Sequence, residues 1–225
     1  MTQSILGYDA VTAGMVISPG GFVVMAMMPI VGGFLIPRVQ VKWLILFGLL
    51  VSAGALWHLS GFNLYVGYSD LAIARCFQAF GLAFLFVPIN TASYTGIPPG
   101  KSNAVSALMN LSRNIGGSMG IAILTTVLSH RTQYHINTMG ANTTDYSPNF
   151  TDALARTSQY LQQQGVSAME AASQAKAMIW GQVIKQATMM AFLDDFYFLM
   201  VLVLCAVPLV FLLRPNKPGG GPGGH

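Results

Sequence analysis

The sequence predicts an all-α integral membrane protein with about five transmembrane helices. Hydrophobic side chains make up 53% of its 225 residues and charged side chains only 8%, a composition typical of a chain surrounded by lipid. No stretch of the sequence alternates apolar and polar residues with the period of a β-strand. Helices, which satisfy their own backbone hydrogen bonds, are therefore the expected way across the bilayer.

Five apolar segments are long enough to cross the hydrocarbon core, which takes about 20 helical residues. In chain order they are 11–36, 41–59, 71–92, 104–129 and 191–213. The first lacks the basic flank of a signal peptide and is followed by four more, so we expect it to be retained.

The first segment contains proline and glycine at two places, Ser18 to Gly21 and Met28 to Gly33, which predicts kinks there. Bent helices with freed carbonyls are common at transporter sites. Met25 lies between the two kinks and offers a soft apolar surface to a ligand. Contact with lipid explains Met25 equally well.

Basic residues in the short connections predict the orientation of the chain. The connection 61–70 holds none, and the basic residues of the other short connections and of the C-terminus are Arg38, Lys42, Lys101, Arg214 and Lys217. The long loop that begins at Arg131 holds four more, but long loops count weakly for orientation. We therefore expect the N-terminus of this chain outside the cytoplasm and the C-terminus inside it.

This orientation divides the chain into four regions. They are 1–130 with four transmembrane helices and short loops, 131–190 as an external loop with amphipathic helices, 191–213 as the last transmembrane helix, and 214–225 as a disordered cytoplasmic tail rich in proline and glycine. In the external loop, Ser167 to Glu170 matches a capping box, so a helix should begin there. That helix either runs straight into the last span or lies along the membrane surface.

Arg113 is the strongest candidate for a functional residue. It lies about ten residues into the fourth span, near the bilayer centre, where an arginine costs about 2.5–3.5 kcal/mol to insert. Asn110 shares its side of the helix and Asn114 follows it directly, so all three are candidates for a transport pathway. Alternatively, Arg113 is a structural clamp on backbone carbonyls or on a carboxylate of a neighbouring helix.

A second group of polar residues lies toward the outer ends of the third and fifth spans. Arg75 and Gln78 are one helical turn apart and are pathway candidates as well, although Arg75 could instead extend to the membrane surface. Asp194 and Asp195 begin the last span from the same side. We expect one of them to pair with Arg75 or to exchange protons with the outside.

The sequence offers no catalytic, cofactor or metal site. The zinc-protease, serine-hydrolase and phosphate-loop motifs are missing from it, so we expect neither an enzyme nor a cofactor. His130 and His135 have no further ligand-like residues beside them in the sequence. Cys76 and Cys205 fall near opposite faces of the membrane, so we expect no disulfide between them. The net charge of +4 does not indicate a nucleic-acid partner in such a chain.

Several blocks of sequence carry a family resemblance. In order they are LGYDAVTAGMVISPGG, MPIVGGFL, ARCFQAFGLAFLFVPINTAS, SRNIGGSMGIAILTT and the glycine-rich end with its final histidine. Together they resemble the fourteen-helix drug:proton antiporters of the major facilitator superfamily, and most of all the EmrB-type multidrug exporters of Gram-negative bacteria. The resemblance implies that the chain is the C-terminal part of such an exporter, in the C-terminal bundle of a major facilitator fold.

The resemblance also implies a function and partners. The function is proton-coupled multidrug efflux across the bacterial inner membrane, and hence antibiotic resistance. The expected partners are hydrophobic or cationic drug-like molecules, protons and the lipid bilayer. A periplasmic adaptor and an outer-membrane channel are further partners, which the 131–185 loop would face.

By the same resemblance, the first, third and fourth spans would face a central cavity and the second and fifth would be peripheral. Pro37 stands where many members of the superfamily have an aspartate before Arg38, which argues against a gating ion pair at that turn. The alternative function is a non-transporting membrane subunit or degenerate remnant that only binds another membrane chain, because the helix count is odd and the partner bundle is missing.

Overall fold

A computed structural model of the chain describes residues 7, 9–98, 100–141, 143 and 146–213. Over these residues the protein is helical without strands, which confirms the predicted fold class. The helices are α1 (Ala10–Pro29), followed by a π-helical turn (Ile30–Leu35), α2 (Val41–Ser60), α3 (Tyr68–Tyr94), α4 (Ser102–Gly140), α5 (Pro148–Gln163) and α6 (Ala168–Val210). The predicted disordered tail, 214–225, lies outside the described residues.

Four helical segments of the described chain are long and apolar enough to cross a membrane: Ala10–Leu35, Val41–Ser60, Tyr68–Tyr94 and Ala168–Val210. They correspond to four of the five predicted spans. The first predicted span, 11–36, and the last, 191–213, each end at most three residues beyond their helical segments. The remaining predicted span, 104–129, lies in α4, which is long enough but less apolar than the other four. That α4 crosses the membrane stays a prediction.

The first span begins with a cap and ends with a change of helix type. The carboxylate of Asp9 accepts a hydrogen bond of 3.0 Å from the backbone N–H of Thr12, which satisfies a free donor of the first turn. The α-helix continues through Pro19. After Pro29 it widens into the π-helical turn, where the N–H of Ile36 reaches the carbonyl of Val31 at 3.0 Å.

Helices α1, α2, α3 and α6 form a packed bundle. Helix α3 lies against both α1 and α2, and α6 lies against α2. Two apolar clusters join them: Val16, Leu59, Leu71 and Ala74 between α1, α2 and α3, and Val41, Ile45, Leu49 and Val210 between α2 and α6. The predicted spans are therefore held together by buried aliphatic side chains, as the composition requires.

Helices α2 and α3 approach each other closely at Gly81 and Ser52. A Cβ atom at Gly81 would lie 2.5 Å from the hydroxyl of Ser52 and 2.9 Å from its backbone nitrogen. A similar approach occurs between α1 and α3, where a Cβ at Gly20 would lie 3.3 Å from the carbonyl oxygen of Arg75. Small residues at these positions let the helix backbones approach each other.

Helices α4, α5 and α6 form the other part of the structure. Helix α6 is continuous over 43 residues, so the helix of the external loop runs straight into the last span rather than along the membrane surface. It begins with the predicted cap: the hydroxyl of Ser167 accepts a hydrogen bond of 3.4 Å from the backbone N–H of Glu170.

The outer part of α4 packs on α6, and its last residue, Gly140, lies against the ring of Trp180. Both α4 and α6 continue across residues 130 and 190, where the membrane and external regions were expected to meet. The placement of that boundary stays a prediction.

Candidate functional site

Arg113 links α4 to α3. Its guanidinium donates a hydrogen bond to Oδ1 of Asn90 and lies over the ring of Phe86, 5.0 Å from the ring centroid. The amide of Asn90 is itself oriented by a hydrogen bond of 2.7 Å to the carbonyl of Phe86. The partners of Arg113 are thus a side-chain amide and an aromatic face, not the carbonyl or carboxylate considered from the sequence. They stabilise the guanidinium but leave its charge unneutralised.

A second polar contact joins the same two helices nearer their connecting turn. The hydroxyls of Tyr94 and Ser106 lie 2.7 Å apart. Because Ser106 and Arg113 are seven residues apart, both contacts occur on one side of α4. Asn110 lies between them along that side, and its side chain and that of Asn114 are exposed.

The described residues of α4 include none that is buried. At Gly116, Gly117 and Gly120, an added Cβ atom would meet nothing within 4 Å. No other helix in the described part of the chain therefore approaches α4 closely at these glycines. Arg113, Asn110, Asn114 and these glycines make up an uncovered polar face on a helix that is expected to lie in the membrane.

Arg75 and Gln78 line a cavity of about 450 Å³ between α1, α2, α3 and α6. The guanidinium of Arg75 donates a hydrogen bond to Oε1 of Gln78. The rest of the wall is largely aliphatic and includes Ile17, Val24, Leu56, Leu82, Leu85 and Val203. Met25 is exposed on α1, with 74% of its surface accessible, and does not line this cavity.

Both ion pairs among the described residues involve the carboxylate of Asp194. Its Oδ2 lies 2.8 Å from Nε2 of His135 and 3.4 Å from Nε of Arg131, both on α4. The pairing of Asp194 or Asp195 with Arg75 that the sequence suggested is not formed, because Arg75 is turned toward Gln78. His135, which had no evident partner in the sequence, is one side of this contact between α4 and α6.

Asp195 faces a different environment from its neighbour. Only 7% of its surface is exposed, and its Oδ1 is buried without a hydrogen-bond partner among the described residues. A buried polar atom without a partner costs free energy, so such an atom in a native helix calls for an explanation.

Sequence reasoning missed three of these contacts, although each left a signal. Asn90 is a polar residue inside an apolar span, which is by itself a reason to single it out. Arg131 and His135 are four residues apart and so share a helix face. The predicted topology puts that face at the same membrane side as Asp194.

The described part of the chain contains no group of three His, Cys, Asp or Glu side chains that could hold a metal ion. Cys76 and Cys205 are free thiols. The polar groups that remain are single charges and amides on long apolar helices. Fold and site together define a multi-pass helical membrane protein, in which rare polar side chains face one another or a cavity.

Comparison with known proteins makes this class more specific. Over all of its 225 residues, the chain is 26% identical to the Multidrug export protein EmrB of Escherichia coli K12. It is 25% identical over 223 residues, 99% of the chain, to the Fatty acid resistance protein FarB of Neisseria gonorrhoeae. A shorter match, 28% identical over 67% of the chain, is to the uncharacterized MFS-type transporter YhcA of Bacillus subtilis, of which it covers 28%. No protein-family model matches the chain.

The resemblance to EmrB-type transporters of the major facilitator superfamily is therefore confirmed, and the chain fits a C-terminal portion of such a transporter. It spans 42% of the length of EmrB and of FarB. EmrB is named as an export protein and YhcA as a transporter.

Proposed function

We propose that the chain is the C-terminal part of a proton-coupled multidrug exporter of the bacterial inner membrane. Its own N-terminus is periplasmic and its C-terminus is cytoplasmic, and residues 131–190 lie in the periplasm. The observation that supports this most directly is α4, a helix inside the similarity to multidrug exporters that has no buried residue and carries Arg113 on an uncovered polar face. In a bilayer, such a face requires water, substrate or another helix against it.

The transport pathway passes along this face. Arg113 is held by Asn90 and Phe86, and its remaining guanidinium donors can bond water or the polar groups of a substrate within the path. Asn110 and Asn114 supply neutral donors and acceptors beside it. Met25 on α1 adds an adaptable apolar contact, and Arg75 and Gln78 border the path from α3.

Protons are exchanged at Asp194 and Asp195. Asp194 is joined to His135 and Arg131, and is one-third exposed, so protons reach it from outside. Asp195 is buried beside it, and protonation is the step that removes its charge from an apolar place. A proton can therefore pass first to the partly exposed carboxylate of Asp194 and then to the buried carboxylate of Asp195.

The substrates are hydrophobic or cationic drug-like molecules. Amphiphilic acids belong among the compounds to be tried, since one relative is named for fatty acid resistance. The helices of residues 131–190 present the surface for a periplasmic adaptor, which would connect the exporter to an outer-membrane channel.

The test is ethidium efflux from a pump-deficient bacterial strain that carries the chain together with the N-terminal portion of an EmrB-type protein. We expect efflux from the pair and none from either part alone. Arg113→Lys should lower the efflux rate about tenfold, because a lysine lacks the planar fork that bonds Asn90 and stacks on Phe86. Membrane levels are compared by immunoblot.

Arg38→Lys is the matched control. Arg38 also lies over a phenylalanine ring, that of Phe34 at 3.7 Å, but at the turn after the first span and away from the pathway. It should leave efflux unchanged. Normal efflux in Arg113→Lys would remove Arg113 from the pathway. No efflux from a confirmed, co-inserted pair would instead support the alternative, a non-transporting subunit or remnant.

A further inference from the structure

We infer that the cavity beside Arg75 binds an amphiphilic anion, with the anionic head on the guanidinium and an alkyl tail along the aliphatic wall. The inference rests on the proposed function only in taking this cavity as a substrate or lipid site of the exporter. Binding itself is measured without transport.

The size and lining of the cavity fit an alkyl chain. Its volume of about 450 Å³ lies within the range of small-molecule sites, about 300–1,000 Å³. Four helices contribute to the wall, and apart from Arg75, Gln78 and Ser52 the lining residues are glycine, alanine, valine, leucine and isoleucine. Such a wall favours binding of an alkyl tail by removing its CH₂ groups from water.

The charge of the cavity favours an anion. Arg75 is the charged residue of the lining, it is half-buried, and its hydrogen-bond partner Gln78 is neutral. Both ion pairs of the described residues belong to Asp194, so no described carboxylate neutralises Arg75. An arginine stays protonated and presents five donors in a fork that matches a carboxylate or phosphate. The cavity therefore disfavours the cations that the family resemblance led us to expect.

The order of residues along α3 sets the orientation of the ligand. Arg75, Ala79, Leu82 and Leu85 follow one another at helical spacing and all line the cavity. The polar end of this stripe is Arg75, and the aliphatic end lies ten residues further, about 15 Å at helical rise. A head group at Arg75 would thus place a tail along Leu82 and Leu85, toward the inner side of the membrane in the predicted topology.

Two neighbouring glycines on α1 shape the wall opposite Arg75. Gly20 lets α1 approach α3 closely, as its position against the carbonyl of Arg75 shows. Gly21 also lines the cavity, but a Cβ atom there would meet nothing within 4 Å. A larger side chain at Gly21 would occupy the cavity without pushing the helices apart.

The shared chemistry, an anionic head on an alkyl tail, has two sources. One is a free fatty acid with its carboxylate, and the other is a membrane phospholipid with its phosphate and net negative charge. Arg75 can bond either head in the same way. The experiment separates the two sources.

The purified chain is titrated in detergent micelles with dodecanoate, dodecanol and dodecyltrimethylammonium, and bound ligand is counted by native mass spectrometry. Phosphatidylglycerol and phosphatidylcholine are compared in the same way. We expect dodecanoate to bind at least tenfold more tightly than dodecanol or the cation. Arg75→Gln should remove that preference, Arg75→Lys should keep part of it, and Arg38→Gln should not change it.

Gly21→Leu is the second variant, which keeps Arg75 and fills the cavity. It should weaken dodecanoate binding about tenfold, and it keeps the inference testable if Arg75→Gln fails to fold by circular dichroism and gel filtration. Arg75-dependent binding of phosphatidylglycerol but not of dodecanoate would support the site and identify a membrane lipid as its ligand. Equal binding of dodecanoate and dodecanol, or anion binding that neither variant weakens, would overturn the inference.

The outcome is separate from that of the efflux assay. Anion binding without ethidium efflux would leave this site standing and contradict the proposed function. Efflux with no Arg75-dependent binding would support the proposed function and contradict this site.

Discussion

Arg113 of α4 and Asn90 of α3 are hydrogen-bonded side chain to side chain, between two helices that share one other hydrogen bond in the described part of the chain, Tyr94 to Ser106. The position of the inner half of α4 relative to α3 therefore depends on polar contacts and not on a buried apolar interface. Polar contacts of this kind can be exchanged for others during a conformational change with little loss of packing. This makes the pair a natural subject for mutation.

We expect Arg113 and Asn90 to act as one unit in transport. Asn90→Ala and Arg113→Gln should each reduce efflux, and the double variant should be no worse than the stronger single one. The coupling free energy from the three efflux rates should be about 0.5–3 kcal/mol. Thr91→Ala is the control, because its hydroxyl bonds only a carbonyl of its own helix, that of Val87 at 3.1 Å. Additive effects of Asn90→Ala and Arg113→Gln would contradict the coupling.

Gly81→Ala should destabilise the bundle by about 1–3 kcal/mol, since the new methyl group of α3 would overlap Ser52 of α2. The measurement is the midpoint of helix loss in a denaturing-detergent titration, followed by circular dichroism. Gly54→Ala, on α2 at a position with nothing within 4 Å, is the matched control and should be neutral or slightly stabilising. The packing account fails if both substitutions shift the midpoint equally.

Asp194→Asn should loosen the outer part of α4 from α6, because both ion pairs end on this carboxylate. Hydrogen exchange of the backbone amides of residues 129–140 should become faster. Arg131→Gln should have a smaller effect, since the arginine side chain is 51% exposed and such pairs contribute about 0.2–1 kcal/mol. Asp152→Asn on the exposed surface of α5 is the control. Unchanged exchange in Asp194→Asn would show that other contacts hold α4 in place.

Asp195→Asn should separate uphill from downhill transport. The amide keeps the size of the side chain but carries no titratable proton, so accumulation against a gradient should stop while downhill equilibration of the substrate continues. Ethidium fluorescence in proteoliposomes with and without an imposed proton gradient measures both. The control is Thr188→Asn, which places the same side chain elsewhere on α6. Uphill transport by Asp195→Asn at the normal rate would remove this residue from proton coupling.

Acid should open the first turn of α1. Hydrogen bonds from Thr12, from its side chain first and then from its backbone N–H, lower the pKa of Asp9 from its ordinary value of 3.8. The cap is therefore fully present above that value and is lost as the pH falls through the lowered pKa. Amide exchange of Thr12, corrected for its intrinsic pH dependence, should show less protection at pH 2 than at pH 5.

Two variants check the assignment to Asp9. Asp9→Asn should keep the cap and lose its pH dependence, whereas Asp9→Ala should expose the Thr12 amide at both pH values. Equal acid sensitivity in Asp9→Asn and in the unmodified chain would assign the effect to another group.

The helices of the bundle were predictable because length and apolarity decide them. The segments 41–59 and 71–92 lie within α2 and α3, which extend past them by at most three residues at either end. The outer part of α4 was not predictable in this way, since its residues are polar enough to be interpreted as a loop. For α6 the sequence predicted the helix start after Ser167 but left open whether the helix continues into the last span. Helix continuity there depends on contacts such as Trp180 against Gly140, which bring together residues forty apart in sequence.

The site was predictable only as single residues. Arg113 was evident from the cost of its charge in a membrane, but its partner Asn90 depends on how α3 and α4 meet. In the same way, matched depth suggested Arg75 as the partner of Asp194 or Asp195, whereas the rotation of each helix decides the contact. The rotation directs Arg75 into the cavity and brings Asp194 against His135. The periodicity of residues within one helix does not specify this rotation.

Helix α6 is 43 residues long without a break, about 65 Å at helical rise, while the hydrocarbon core is about 30 Å thick. In the proposed arrangement, more than half of the helix stands outside the core, in line with the part inside it, and would act as a lever. Any tilt of the membrane segment becomes a sideways displacement of the outer tip that grows with distance from the membrane. A protein that rests against the tip would sense the state of the membrane segments mechanically, with no signal other than its position.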